Sequence, residues 1–214
     1  MSDAPSRLLL ASRRMVELGL NRGTSGNASV RDGAAFFVTP SAIPAADMTP
    51  GSMVLMDPAG NVLRGTRPST EWRIHRDIYA ARADVGAVVH AHSTFATTLA
   101  CLGRKVPAVH YMIALAGGDS IACAAYSVFG EQALSDAALE ALRDRKACLL
   151  ANHGMIALGS DLDDALAVAV EVEFVCEIYW RSLQLGQPNI LTARQMDEVK
   201  RKFADYKKRD TDHR

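Results

Sequence analysis

The 214-residue sequence lacks an excess of charge of either sign: 24 Lys+Arg stand against 24 Asp+Glu. A balance of that kind argues against nucleic acid or an anionic membrane surface as the main partner. It also lacks any run near the ~18 uninterrupted apolar residues of a membrane span. The run Leu8-Leu9-Leu10-Ala11 is too short for a secretory signal, and Arg13 and Arg14 follow at once. Cysteine is scarce, and Cys101, Cys123, Cys148 and Cys176 form neither a CxxC pair nor a finger spacing. They are expected to be buried free thiols, which fits a reducing cytoplasm. Lysine is scarce as well. Lys105, Lys146, Lys200, Lys202, Lys207 and Lys208 all sit in charged or turn contexts. None has the apolar surroundings that would hold an unprotonated amine, so Schiff-base chemistry is disfavoured.

What is present is a series of helix and strand signals. Residues 6–20 repeat apolar positions at helical spacing, with Leu9, Met15, Val16 and Leu20 on a common side. Gly23-Thr24-Ser25-Gly26-Asn27 ends that helix in a tight loop. Strands are predicted at 28–31, 36–39 and 52–56, and Asp57-Pro58-Ala59-Gly60-Asn61 is a turn. Thr70 reads as the N-cap of a helix over 71–83. The run 87–92 reads as a strand, 93–101 as a short helix, 106–113 and 147–158 as further strands, and 131–144 as a helix. Ser160 is placed as the cap of a long amphipathic helix, 161–185, closed by Gly186 with Pro188 beyond. A charged helix follows at 192–207. No repeat or linker divides the series. The expectation is one α/β domain over 1–214, with a mostly antiparallel central sheet flanked by helices and a flexible tail at 208–214.

Six histidines are available. His90 and His92 lie at i and i+2 of the strand-like run, so both rings point to one face and can converge on one ion. An isolated HxH is equally a pair of ordinarily hydrogen-bonded histidines. His153 adds a third ring, because it interrupts the apolar hairpin Ala147–Ala157 where a polar ring needs a reason. Three histidines with an open position are a catalytic rather than a closed structural metal pattern. His75, on a charged helix, reads as structural or exposed. Glu71 opens that helix; it serves either as a dipole-favoured capping carboxylate or as a group aimed at whatever the adjacent loops bind.

Three loops share a composition: Gly23-Thr24-Ser25-Gly26-Asn27, Thr39-Pro40-Ser41-Ala42 and Pro68-Ser69-Thr70. Each supplies hydroxyls, an amide or free backbone N–H groups, with no lysine. Such loops hold a phosphate through neutral donors and a helix N-terminus.

The motifs GTSGNASVR, TPSAIP, PSTEWRIHRDIY, VVHAHS, HYMIALAGG and ANHGMIALG, in this order, resemble the class II aldolase/adducin family over about residues 8–206. The resemblance implies that His90, His92 and His153 bind Zn2+, with Mn2+, Co2+ or Fe2+ as substitutes. Glu71 is implied as ligand or acid/base. Thr24, Asn27, Ser41, Ala42, Ser69 and Thr70 are implied as a phosphate cradle, Ala42 standing where the family's fuculose enzyme has glycine. Tyr111 is implied to reach the site of a neighbouring subunit in a homotetramer. Phe129, Phe203 and Tyr206 resemble the aromatics of the aldehyde end. The implied reaction is metal-dependent cleavage of a ketose 1-phosphate (L-fuculose, 5-deoxyribulose or 5-methylthioribulose 1-phosphate) to dihydroxyacetone phosphate and an aldehyde in the cytoplasm. A sugar-phosphate 4-epimerase, a decarboxylase or dehydratase, and a non-catalytic adducin-like binding head are the alternatives. Glu71 favours the aldolase over the epimerases, which carry Asp in that slot.

Overall fold

The computed structural model describes residues 3–211, and side chains through 206. Its strands are β1 (Asn27–Asp32), β2 (Ala35–Val38), β3 (Val54–Met56), β4 (Val62–Arg64), β5 (Ala87–Ala91), β6 (Ala122–Ala124), β7 (Ala147–Leu150) and β8 (Gly154–Gly159). Its α-helices are α1 (Ala4–Glu17), α2 (Trp72–Ala81), α3 (Thr94–Ala100), α4 (Gln132–Ala141), α5 (Leu162–Leu185) and α6 (Ala193–Thr211). One sheet takes the order β4-β3-β2-β1-β5-β8-β7-β6. Neighbours are antiparallel except the parallel edge pair β6–β7. The sheet is therefore mixed, with antiparallel pairing dominant.

Strand alternation sorts the interior into two cores. Ala28, Val30, Ala87, Val89 and Ala91 pack with Leu8, Leu9, Leu99 and Val172 of α1, α3 and α5. Val88, Ile156 and Leu158 pack on the other face with Ile74 and Ile78 of α2 and Leu134 and Ala138 of α4. The central strands are buried on both faces, which is why β5 reads as a continuous apolar run. His90 shares the α2 face with Val88.

The structure corrects several expectations. Residues 106–113 do not form a strand. Val106 makes an isolated bridge to Ile121, and Tyr111–Ala116 is a 3₁₀ turn. Pro107 offers no N–H to extend a ladder. The three-residue strands β4 and β6 are too short to show alternation in sequence. The N-cap of α5 is Asp161 rather than Ser160, its carboxylate accepting from Asp164 N at 2.9 Å. The N-cap position of α2 belongs to Glu71 rather than Thr70. Cys101 is exposed and Cys123 half-buried, while Cys148 and Cys176 are buried. His75 is fully buried. Backbone helix continues to Thr211, into the segment expected as a tail, and 212–214 lie outside the described residues. Among the described residues no helix is long and apolar enough to cross a membrane.

Candidate metal centre and its cavity

Three elements carry the donors. His90 is the fourth residue of β5, opposite Asn27 of β1 and Ile156 of β8. His92 follows the strand end, its backbone N–H held by Asn21 Oδ1 at 3.1 Å. His153 sits in the β7–β8 turn, whose closure needs Asn152 at φ 56°. Gly154 is required next to it: a Cβ there would run into the Ala91 carbonyl oxygen and lie 3.0 Å from His92 Cδ2. Glu71 makes no side-chain cap bond. Ser69 Oγ accepts the Glu71 backbone N–H at 3.3 Å, and the carboxylate turns inward to 6% exposure.

Glu71, His90, His92 and His153 place one donor atom each within 4.8 Å of one another. The imidazole centroids form a near-equilateral triangle of 4.7, 4.8 and 4.8 Å, with the rings close to perpendicular. The donor chemistry fits a cation. His90 Nδ1 donates to Met155 O at 2.9 Å, so His90 Nε2 presents its lone pair. That lone pair meets His92 Nε2 at 2.9 Å and Glu71 Oε2 at 3.1 Å. Glu71 Oε1 lies 3.2 Å from His153 Nε2 but outside hydrogen-bond geometry, and it has no hydrogen-bond partner among the described residues. Acceptors facing acceptors in a buried site call for positive charge between them. Burial works against charge on Glu71, but His90, His153 and Asn27 outweigh it and hold the carboxyl well below its usual range. Burial also opposes charge on His90, and the Glu71 carboxylate overrides it and raises the His90 pKa. Burial and the neighbouring His90 lower His92 and His153 to about 4, which keeps their lone pairs available.

Beside the cluster opens a cavity of about 320 Å³, whose lining includes Thr24, Asn27, Ser41, Ala42, Ser69, Thr70, Glu71, His92 and His153. All three hydroxyl-rich loops therefore meet on one side of the histidines. The second and third are zipped together: Ser41 N donates to Arg67 O at 3.0 Å and Ser69 N to Thr39 O at 2.9 Å. Those two backbone donors are spent on the fold. Asn27 spends its carbonyl on His75 and one amide hydrogen on Glu71. Among the described residues no lysine or arginine lines the cavity. Tyr126, Ser127 and Asn152, which the sequence reading missed, also line it. Only Asn152, beside His153, had a visible signal.

Ala42 holds a left-handed backbone at φ 60°. That conformation costs a residue with a Cβ ~1–2 kcal/mol. Ala42→Gly is expected to stabilise the chain by about 1 kcal/mol, read as a melting-temperature rise of roughly 2–4 °C. An unchanged or lower melting temperature would show that the strain is absent.

The aromatic residues divide. Phe129 lines the cavity beside the histidines. Tyr111, Phe203 and Tyr206 instead line a second cavity of about 470 Å³ that, among the described residues, shares no lining residue with the first. There Tyr111 and Phe203 stack at 6.2 Å.

Fold and donor set together describe an α/β protein with a cluster of four side chains able to hold a metal ion next to a polar cup. Residues 6–180 match the family described as class II aldolase and adducin N-terminal domain, and the chain belongs to that family. It is 53% identical over 199 residues to the 5-methylthioribulose-1-phosphate/5-deoxyribulose-1-phosphate aldolase of Rhodospirillum rubrum, covering 93% of this chain and 90% of that one. It is 43% identical over 193 residues to the L-fuculose phosphate aldolase of Escherichia coli K12, covering 90% of each. A solved L-fuculose 1-phosphate aldolase superposes with a TM-score of 0.93 at 39% identity, covering 95% of this chain and 97% of that one. By this kinship the chain is a lyase of the class II aldolase group.

Proposed function

We propose that the chain splits a ketose 1-phosphate between C3 and C4, releasing dihydroxyacetone phosphate and a small aldehyde. The observation that carries this reading is the convergence of three imidazoles and a carboxylate, within 4.8 Å, beside a cavity lined by hydroxyls. Glu71, His90, His92 and His153 would hold a divalent cation, Zn2+ in this reading with Mn2+, Co2+ or Fe2+ as substitutes. Such an ion, when bound, polarises a carbonyl and steadies the negative charge that develops beside it. The chain's own residues do the rest. Thr24, Asn27, Ser41, Ala42, Ser69 and Thr70 seat the phosphate through neutral donors near the start of α2. Glu71 holds and returns the proton at C3. Tyr111 of the partner subunit moves the proton at the C4 oxygen. Phe129, with Phe203 and Tyr206 of the partner subunit, covers the aldehyde. The separation of Tyr111, Phe203 and Tyr206 from the cavity of their own chain supports an assembly of several copies, a tetramer in this reading. The four free thiols suit a cytoplasmic enzyme.

Among substrates, the 53% identical relative favours 5-methylthioribulose and 5-deoxyribulose 1-phosphates over L-fuculose 1-phosphate. The zinc-loaded protein should show higher kcat/KM on the first two, which should differ from each other by no more than about 10–200-fold, the span of the ~1–3 kcal/mol that one added apolar group is worth. Higher kcat/KM on fuculose 1-phosphate would reverse the order. Recovery of an inverted ketopentose phosphate without free dihydroxyacetone phosphate would replace the aldolase by an epimerase.

A further inference from the structure

Five side chains, counted from the carboxylate inward, form a hydrogen-bond chain with a single arrangement of protons. Glu71, His75 and Tyr79 recur every fourth residue at the start and along one face of α2. Asn27 and Ser29 recur every second residue on one face of β1. Four residues of helix rise about 6.0 Å. Two residues of strand rise about 6.7 Å. The two rows therefore interleave without strain. Asn27 Nδ2 donates to Glu71 Oε2 at 2.9 Å, and His75 Nε2 meets Asn27 Oδ1 at 2.6 Å. Ser29 Oγ meets His75 Nδ1 at 2.6 Å and Tyr79 Oη at 2.7 Å. All five residues are buried, His75 and Ser29 completely.

Glu71 dictates the polarity. An ionised carboxylate only accepts, so the NH2 end of Asn27 must face it. The amide carbonyl then faces His75 Nε2, which must carry the ring proton. Burial holds His75 neutral, its pKa lowered to about 3, so Nδ1 is bare and accepts from the Ser29 hydroxyl. That hydroxyl has used its proton, so Tyr79 donates to Ser29 Oγ. Burial raises the Tyr79 pKa and keeps the phenol protonated. Reversing one member would leave like groups facing each other where water is excluded.

We propose that His75 is a positioning residue for Glu71. Acting through Asn27, with Ser29 and Tyr79 behind it, it ensures that an amide N–H and never an amide carbonyl faces the carboxylate. The role rests on the reading of Glu71 as the group that handles the proton at C3. A correctly turned amide anchors Oε2 through its N–H and so fixes where the carboxylate points. A turned-over amide sets oxygen against oxygen, and the carboxylate loses its anchor and its aim. Because the role depends on direction, it is separable from the space the ring fills.

The test uses zinc-loaded protein, as the unaltered chain and as His75→Phe and His75→Gln. Bound zinc, KM for the ketose phosphate and exchange of the C3 hydrogen of dihydroxyacetone phosphate with solvent are measured on each. In His75→Phe, zinc and KM are expected to stay within about twofold while exchange falls ~10–100-fold, the usual cost of losing a partner of this kind. His75→Gln, which restores an N–H donor, should recover most of the exchange. Undiminished exchange in His75→Phe overturns the proposal, as does a joint loss of zinc and exchange that Gln does not rescue. An ¹⁵N spectrum of the unaltered protein tests it without any variant: the His75 ring proton must sit on Nε2, and finding it on Nδ1 overturns the arrangement. Absence of exchange in the unaltered protein overturns the aldolase reading and the catalytic role with it, while the ¹⁵N spectrum still judges the proton order.

Discussion

Replacing His92 by alanine is expected to strip the metal and remove cleavage activity together. The variant leaves two imidazoles and one carboxylate around a space built for four donors. It should leave the fold standing. His92 lies beyond the end of β5, and the bond that fixes its backbone, from its N–H to Asn21 Oδ1, does not involve the ring. The expected loss in turnover is about 10³-fold or more, the scale of the several kcal/mol of charge stabilisation that a bound metal supplies. Metal analysis and a cleavage assay on the same preparation decide it. Full turnover by a metal-free sample would sink the assignment.

Glu71→Gln should separate the two jobs given to that residue. The amide retains an oxygen that can still accept from Asn27 Nδ2, and the three histidines are untouched, so metal is expected to remain bound. A neutral amide cannot carry the proton at C3, so turnover should fall by ~10²-fold or more, the usual size of an acid/base loss. The decisive readout is exchange of the C3 hydrogen in dihydroxyacetone phosphate, which needs no aldehyde and no partner tyrosine. Near-normal exchange in this variant would mean that another group moves the proton.

Much of the centre was legible in the chain because its signals are local. His90 and His92 at i and i+2 must share a face once the run between Ala87 and Ala91 is a strand. His153 stands out as the polar ring in an apolar hairpin, and Glu71 opens a helix behind two loops rich in hydroxyls. What was not legible depends on which distant elements touch. His75 looks like a residue of a charged helix until β1 is known to pack against α2, and only then do Asn27 and Ser29 supply its partners. The division of the aromatics is of the same kind: nothing near Phe129 in sequence says that Tyr111 and Phe203 line a different cavity. The segment 106–113 misled for a local reason, since its apolar residues suit a strand but Pro107 interrupts the ladder.

The interleaved polar rows also bear on how the sheet avoids mispairing. β1 offers small or apolar residues on one face, Ala28 and Val30, and hydrogen-bonding ones on the other, Asn27 and Ser29. A one-residue slip would exchange them, setting Ala28 and Val30 against His75 and Tyr79 and driving an amide and a hydroxyl into the interior under α1 and α5. Each polar group stranded in that way costs ~1–3 kcal/mol. Several at once would outweigh any gain in apolar contact, so the row of polar groups that steadies the carboxylate also acts as a proofreader of assembly, penalising the misthreaded chain.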